Sequence, residues 1–275
     1  MADVPPVVLI TGATAGLGRY VARQLGSSGW QVLAHGRDRA RVAELSAGLG
    51  GGARGFVADL ASLGDVRDLA ARIRAEVPRL DVLVNNAAVG FGAPGEERQV
   101  SADGHELRFA VNYLAPVLLT RLLVPLLTAS APSRVLNVGS LGQVAFDPAD
   151  AEFEHGYQGV EAYRRSKLAL AAFSFDLAGE LEAARVTVNC SHPASFMNTA
   201  MVFRSGVTPV STLEQGGEAT MRLITDPALD GVTGQFFDGL RTARARPEAY
   251  DPQFRARLRE VTDRMLGDAA SWPAS

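Results

Sequence analysis

The chain of 275 residues has one cysteine, Cys190, no marked excess of either charge and no long apolar run free of interruption. A single cysteine excludes an intramolecular disulfide. A formal net charge of −3, a pI near 5.9 and the lack of any block of like charges leave no basic face for nucleic acid. The greasiest stretch, residues 110–131, is broken by Asn112, Pro116, Arg121 and Pro125, and so reads as a buried helix, not a membrane span. The start Met-Ala-Asp-Val-Pro-Pro carries neither a basic leader nor an apolar signal core, and the expected location is a reducing cytoplasm. No internal repeat and no linker marks a second domain, and no metal-ligand set is expected.

What the chain does have is 47% hydrophobic residues, ample for a large buried core. Val7-Val8-Leu9-Ile10 is a β-rich apolar run that stops at Thr11-Gly12, and a helical pattern follows over residues 17–27. Further apolar runs at 31–34, 55–58, 82–84, 134–138, 185–189 and 234–237 alternate with helix-like segments at 39–49, 63–76, 104–129, 162–184 and 211–223. This order predicts an α/β fold: one doubly wound (Rossmann) domain with a seven-stranded parallel sheet, helices on both faces and ligands at the carboxyl ends of the strands. The domain spans 1–275, with its core at 7–240. Its interruptions are an insertion at 147–159, a substrate loop and helix at 196–222, and a C-terminal extension at 242–275 bearing a charged helix over 252–266.

Thr11-Gly12-Ala13-Thr14-Ala15-Gly16-Leu17-Gly18 places three glycines where the first strand turns into a helix. Glycine there permits positive φ and close approach of a ligand, and the free N–H groups of the helix start favour a pyrophosphate. The second strand ends Leu33-Ala34-His35-Gly36-Arg37. An NAD-preferring site carries an acidic residue at that point; Arg37 suits the 2′-phosphate of NADP(H), unless it merely joins Arg39 and Arg41 on a solvated basic face. Further along, Tyr163 and Lys167 lie four apart in a helical run, which stacks a phenol and an ammonium on one face. Such a cation can draw a phenol, ordinarily titrating near 10, toward neutrality. Alone, that spacing usually means no more than an amphipathic surface.

Together these residues resemble a classical short-chain dehydrogenase/reductase, in motifs that run through nearly the whole chain. Asp59-Leu60 matches the acidic pair beside the adenine, and Asn85-Asn86-Ala87-Ala88 the end of the fourth strand, with Ala88 in place of glycine. Asn112 stands at the family's active-site Asn, Ser140 at its catalytic Ser, and His192-Pro193-Ala194 where HPG is usual. Singly, Asp59 could be a helix cap, Asn85 and Asn86 turn formers and Ser140 a loop hydroxyl. The resemblance implies hydride transfer between NADP(H) and a carbonyl, with Tyr163 as proton donor. Lys167 lowers the phenol and holds the nicotinamide ribose, Ser140 bonds the substrate oxygen, and Asn112 holds a water that links Lys167 to solvent. The cofactor set it implies is Gly12, Thr14, Gly16, Leu17, Gly18, Arg37, Asp59, Leu60, Asn85, Ala87, Tyr163, Lys167 and Pro193, with Asn198 or Thr199 at the carboxamide.

The long interval between Ser140 and Tyr163, and the run AYRRSKLAL, resemble the retinol-dehydrogenase-like branch and bacterial polyketide-tailoring ketoreductases. That implies a bulky, largely apolar carbonyl or alcohol, lined by Phe153, Tyr157, Phe196, Met197, Met201 and Phe203, unless these only fold a lid onto the domain. A branch member diverted to cyclisation or dehydration, and a non-catalytic NADP(H)-binding regulator, stay open at this point. A homo-oligomer, dimer or tetramer, is the implied assembly, formed through the helices at 104–129 and 162–184 or altered by the charged tail.

Overall fold

The computed structural model describes residues 5–93 and 95–267. Residues 1–4, Pro94 and the last stretch of the expected extension, 268–275, lie outside the described residues. The first half alternates strictly: β1 Val7–Ile10, α1 Gly16–Ser27, β2 Gln31–Gly36, α2 Arg39–Leu49, β3 Arg54–Val57, α3 Leu63–Glu76 and β4 Val82–Asn85. A short helix α4 Leu107–Phe109 then runs through a π-helical turn, Ala110–Leu114, into α5 Ala115–Ala129, followed by β5 Ser133–Val138 and the long α6 Gly159–Leu181. The remainder is β6 Val186–His192, α7 Ala200–Arg204, α8 Leu213–Thr225, β7 Phe236–Asp238, β8 Arg241–Ala243 and α9 Pro252–Leu266.

The strands form one sheet in the order β3-β2-β1-β4-β5-β6-β7-β8. The chain steps outward from β1 to β3 and then crosses back to β4 on the other side of β1, which opens a crevice above the carboxyl ends of β1 and β4. The expected seven parallel strands are present, and an eighth corrects the count: β8 runs antiparallel to β7, Phe237 opposite Thr242. Three residues, two of them polar, give no apolar run for a sequence reading to find.

Each sheet face is covered by helices whose apolar positions recur every three or four residues. On α1, Leu17, Val21 and Leu25 point into one core with Leu223 and Ile224 of α8. Leu25 is fully buried, and Leu25→Ala should cost about 2–5 kcal/mol for the lost transfer energy plus the cavity. The other face packs α3, α5 and α6 through residues such as Leu69, Ile73, Leu118, Leu123 and Leu170. Polar caps set helix starts: the Asp38 carboxylate accepts from the N–H groups of Ala40 and Arg41, and Thr212 and Gln215 form a reciprocal capping box.

The charged tail helix α9 lies on α6 and α5, and the sheet edge is taken by β8. Leu258 and Leu266 are buried there, the hydroxyls of Tyr113 and Thr262 meet at 2.7 Å, and Arg121 pairs with Asp263 at 2.6 Å. Asp176 of α6 receives both Arg255 and Arg259 at 3.0 Å. Part of the face that the resemblance offered for subunit pairing therefore carries the chain's own helix.

Candidate active site

A cleft of about 820 Å³ runs over the carboxyl ends of the strands, from the glycine turn to Tyr163. At its first end, Gly12 and Gly16 have φ of +65° and +50°, where a side chain is strained. A Cβ on Gly12 would lie 2.9 Å from the Ala87 Cα, and one on Gly18 would collide with the Gly12 carbonyl. Gly12, Thr14, Gly16 and Leu17 line the cleft; Gly18 does not, and its role is to let α1 pack onto the turn. Ala15, the residue before α1, offers no side-chain cap, so the helix's first N–H groups have no side-chain partner from it beside the cleft. The end of β4 is strapped to the turn. Asn86 Nδ2 donates to the Thr11 carbonyl at 2.8 Å, and the Thr11 hydroxyl accepts from the N–H groups of Asn86 and Ala87.

His35 completes this end, two residues before Arg37, and no motif in the sequence marks it. Its Nδ1 accepts from the Gly12 N–H at 3.3 Å, and its Nε2 faces the Ala58 carbonyl at 3.1 Å, which fixes the neutral tautomer with the proton on Nε2. Burial holds this imidazole down to a pKa of about 4. Arg37, Asp59 and Leu60 also line the cleft. Arg37 is exposed and, among the described residues, makes no ion pair, whereas Arg41 pairs with Asp38 at 3.7 Å. Asp59 does not cap the helix that follows: its carboxylate accepts from the Ala61 N–H at 3.0 Å in the turn, and Ser62 is the cap of α3.

Asn85 is a correction to the expected cofactor set. Its side chain turns into the core, where Nδ2 donates to Asn137 Oδ1 at 2.7 Å and Thr120 Oγ1 at 2.9 Å, and Asn137 continues to the Ser174 hydroxyl. This buried polar chain ties β4 and β5 to α5 and α6.

At the other end, Ser140, Tyr163 and Lys167 come together on the cleft wall. Tyr163 and Lys167 are one turn apart on α6 and only 8% and 2% exposed. The expected lowering of the phenol is not what this arrangement does. Lys167 directs Nζ to the Val138 carbonyl at 2.7 Å and lies 5.7 Å from the Tyr163 ring centre. Burial accordingly dominates and raises the phenol, opposed by its hydrogen bond with Ser140, while burial lowers the Lys167 ammonium to about 8.

Asn112 gives its side chain to the protein. Its amide accepts from the Val89 N–H at 2.7 Å and donates to the Val89 carbonyl at 3.0 Å and the Ser166 hydroxyl at 3.1 Å, so the side chain is committed and fully buried. What remains is its backbone carbonyl. Pro116, four residues on, has no N–H to give it, and the π turn lies at this point.

Of the two residues expected at the carboxamide, Thr199 lines the cleft and Asn198 does not; the Asn198 N–H donates to the Ser211 carbonyl at 3.0 Å. Pro193, Ala194 and Ala88 are on the wall, the last two adding methyl groups where the family motif has glycine. Phe196, Met197 and Met201 line the cleft as expected residues of the substrate end. Phe153, Tyr157 and Phe203 do not. The ring of Phe153 is buried under the Arg165 guanidinium at 3.7 Å, the Tyr157 hydroxyl donates to Glu106 at 2.9 Å, and Phe203 points to solvent. The insertion thus anchors α6 more than it walls the cleft. The aromatic that does stand beside the phenol is Phe91, edge-on to Tyr163 with ring centres 4.6 Å apart, and Phe196 lies 6.4 Å beyond it. The only sequence signal for Phe91 was a lone aromatic just past the Asn85-Asn86-Ala87-Ala88 motif.

A profile of the short chain dehydrogenase family matches residues 6–206. The chain belongs to that family. It is 36% identical to retinol dehydrogenase 14 of Mus musculus over 94% of this chain and 85% of that protein. It is 35% identical to polyprenol dehydrogenase of Mus musculus over 97% of this chain and 87% of that protein. Among solved structures, the Pseudomonas aeruginosa RhlG/NADP active-site complex shares 28% identity and a TM-score of 0.70, covering 86% of this chain and 95% of that one. The protein is therefore a short-chain dehydrogenase/reductase of the retinol-dehydrogenase-like branch, an enzyme of alcohols and carbonyls that uses a nicotinamide cofactor.

This kinship overturns the expected cytoplasmic location. The relatives are dehydrogenases named for retinol and polyprenol, and the absence of a basic or apolar leader carries no weight against that. The helical run Leu107–Ala129 is long and apolar enough to cross a membrane by length and composition, and 83% of its most apolar window is buried inside the protein, as in a core helix.

Proposed function

We propose that this dehydrogenase/reductase is an NADPH-dependent reductase of a bulky, largely apolar ketone or aldehyde, a class that includes aromatic polyketides, with Tyr163 as the proton donor. The observation that carries the reading is one cleft bounded by Arg37 at one end and by the hydrogen-bonded Ser140 and Tyr163 at the other, with Phe91, Phe196 and Met201 lining it. The cradle fits a dinucleotide, because Gly12 and Gly16, both at positive φ, and the helix start of α1 line the cleft where a pyrophosphate needs close backbone approach.

Arg37 would hold the 2′-phosphate with a charge-assisted bond, Asp59 and Leu60 would serve the adenine, and Ala87, Pro193 and Thr199 would hold the nicotinamide end. The nicotinamide, when bound, supplies the hydride that goes to the carbonyl carbon. Ser140 donates a hydrogen bond to the carbonyl oxygen, and Tyr163 delivers its proton to that oxygen. A phenol raised by burial stays protonated at neutral pH, which suits a donor in the direction of reduction. Lys167 keeps a positive charge below the site at neutral pH, and the Asn112 carbonyl is the acceptor for a water that returns the proton. The relatives' names, retinol and polyprenol, support an apolar substrate.

The test is NADPH absorbance followed with retinaldehyde, decanal, menadione and a tetracyclic anthracyclinone as probes. The reading expects one NADP⁺ for each alcohol formed from at least one of these, and a stronger response to NADPH than to NADH. Products formed without NADPH oxidation, or none with any probe, would sink it.

A further inference from the structure

Arg108 is the bulkiest fully buried side chain among the described residues, and nothing in the mechanism above uses it. An unpaired guanidinium in the interior is costly, so its partners define what it does. Its Nε donates to the Gly90 carbonyl at 2.8 Å, Nη2 to Glu96 at 3.0 Å and Nη1 to the Tyr157 hydroxyl at 2.5 Å, with the buried Glu106 carboxylate 3.6 Å away. A planar fork with fixed donors can serve these directions at once, as an ammonium on a flexible stem cannot.

Four residues on, Asn112 holds both the N–H and the carbonyl of Val89. Arg108 and Asn112, one helical turn apart, thus grip the backbone of consecutive residues in the segment that leaves β4. The next residue is Phe91, whose ring meets Tyr163 edge-on at 4.6 Å. From the other side, the start of α6 closes on the same segment: a Cβ on Gly159 would collide with the Phe91 carbonyl and lie 3.1 Å from Arg108 Nη2. Gly92, at φ +80°, has Arg108 and Glu96 where its Cβ would be.

We propose that Arg108 is a positioning residue for the proton donor: through Gly90 it sets the Phe91 ring against Tyr163 and keeps water from that face of the phenol. The inference rests on the reading of Tyr163 as the donor and adds a residue that touches neither substrate nor cofactor. The titratable and charged groups sharing the cleft with the phenol are Lys167 and Arg164 on its own helix, His192 from β6, and His35, Arg37 and Asp59 toward the glycine turn. Phe91 brings no charge of its own, so what it changes is hydration.

The experiment compares wild type, Phe91→Ala, Arg108→Met and the double variant, each as full chain saturated with NADP(H). Two quantities are read: kcat/KM against pH with retinaldehyde or the best of the four probes, and the tyrosinate absorbance after a pH jump, taken as the difference from a matched Tyr163→Phe partner. Loss of Phe91 wets the phenol, so its ionisation should fall toward the ordinary 10.0, and the alkaline limb of the reductive profile should move down with it. Arg108→Met should give the same shift and lower kcat/KM about 10- to 100-fold. The double variant should be no worse than the poorer single one, because both act through one ring. Effects that multiply in the double variant, or an unshifted Tyr163 titration in Arg108→Met, overturn the proposal. If Arg108→Met does not fold, Gly159→Ala displaces the same segment with the buried charge intact and must reproduce the shift. Tyr163→Phe turning over like wild type would instead remove the donor reading, while the absorbance titration still reports whether Arg108 seats Phe91.

Discussion

The glycine-turn end of the cleft is built from short strand-end motifs, their backbone tied together by Thr11, Asn86 and His35, with Arg37 and Asp59 beside them. At the phenol end, Tyr163 and Lys167 from one helix meet Ser140 from the loop after β5 and aromatic or sulfur side chains from two further segments, around Phe91 and around Phe196. The first end depends on local conformation, the second on tertiary placement. Damage at the first should therefore appear as cofactor affinity and fold stability, and damage at the second as turnover and substrate range.

The sharpest way to break this contrast is Tyr163→Phe. The variant keeps the ring and its contact with Phe91 and loses only the hydroxyl, so turnover should fall by about 10³-fold or more while NADPH binding by fluorescence titration stays within a few-fold of wild type. Turnover close to wild type would mean that another group delivers the proton. Next in size is Arg37→Asp at the opposite end. Replacing a cation by an anion beside a 2′-phosphate should weaken NADPH about 100-fold relative to NADH, the scale of one charge-assisted bond plus the added repulsion. An unchanged ratio of the two dissociation constants would return Arg37 to a solvated surface role.

Much of the glycine end was legible because its chemistry follows from residue type at a strand end. Gly12 and Gly16 are needed for their φ, and Arg37 faces the cleft because it follows directly on β2. Ser140, Tyr163 and Lys167 were legible for the same reason, being fixed by one strand end and one helix turn. Asn85 reads as a ligand group, and the Asn112 side chain as available, because an amide at a motif position does not reveal whether its hydrogen bonds go to a ligand or to the protein. Both turned out to be committed to the protein. Phe153 and Tyr157 sit in the right interval, but the guanidinium of Arg165 covers one and the Arg108 cluster holds the other, contacts that no local pattern encodes. The missed strand β8 and the missed ring of Phe91 share that cause.

A third test bears on the glycine end alone and reads stability. His35 is held near pKa 4 in the folded protein, below its ordinary 6.5. Unfolded chains take up the proton first as pH falls, so the stability this residue contributes is present above about 6.5 and is lost progressively down to about 4, on the order of 3 kcal/mol in all. Urea unfolding at pH 7 and pH 4.5 should show a larger loss for wild type than for His35→Gln, whose amide does not titrate. Equal losses would mean that the imidazole is not held neutral between Gly12 and Ala58.

The smallest expected effect sharpens the map of the phenol end. Phe196 and Phe203 lie seven residues apart in the loop and helix that follow β6, and from sequence both belonged to the substrate wall. Phe196 lines the cleft with φ at +44°, its carbonyl accepting from the Val210 N–H at 3.0 Å, whereas Phe203 is 59% exposed and off the cleft. An aromatic that gives apolar area to a ligand should raise KM for a bulky carbonyl by roughly 10-fold when truncated, and Phe196→Ala should do so with kcat little changed. Phe203→Ser removes a ring that water already reaches, so kcat/KM should stay within about twofold and stability within about 0.5 kcal/mol. A KM change for Phe203→Ser as large as that for Phe196→Ala would show that α7 folds over the substrate during turnover, and would extend the phenol end beyond the wall formed by Phe91, Phe196 and Met201.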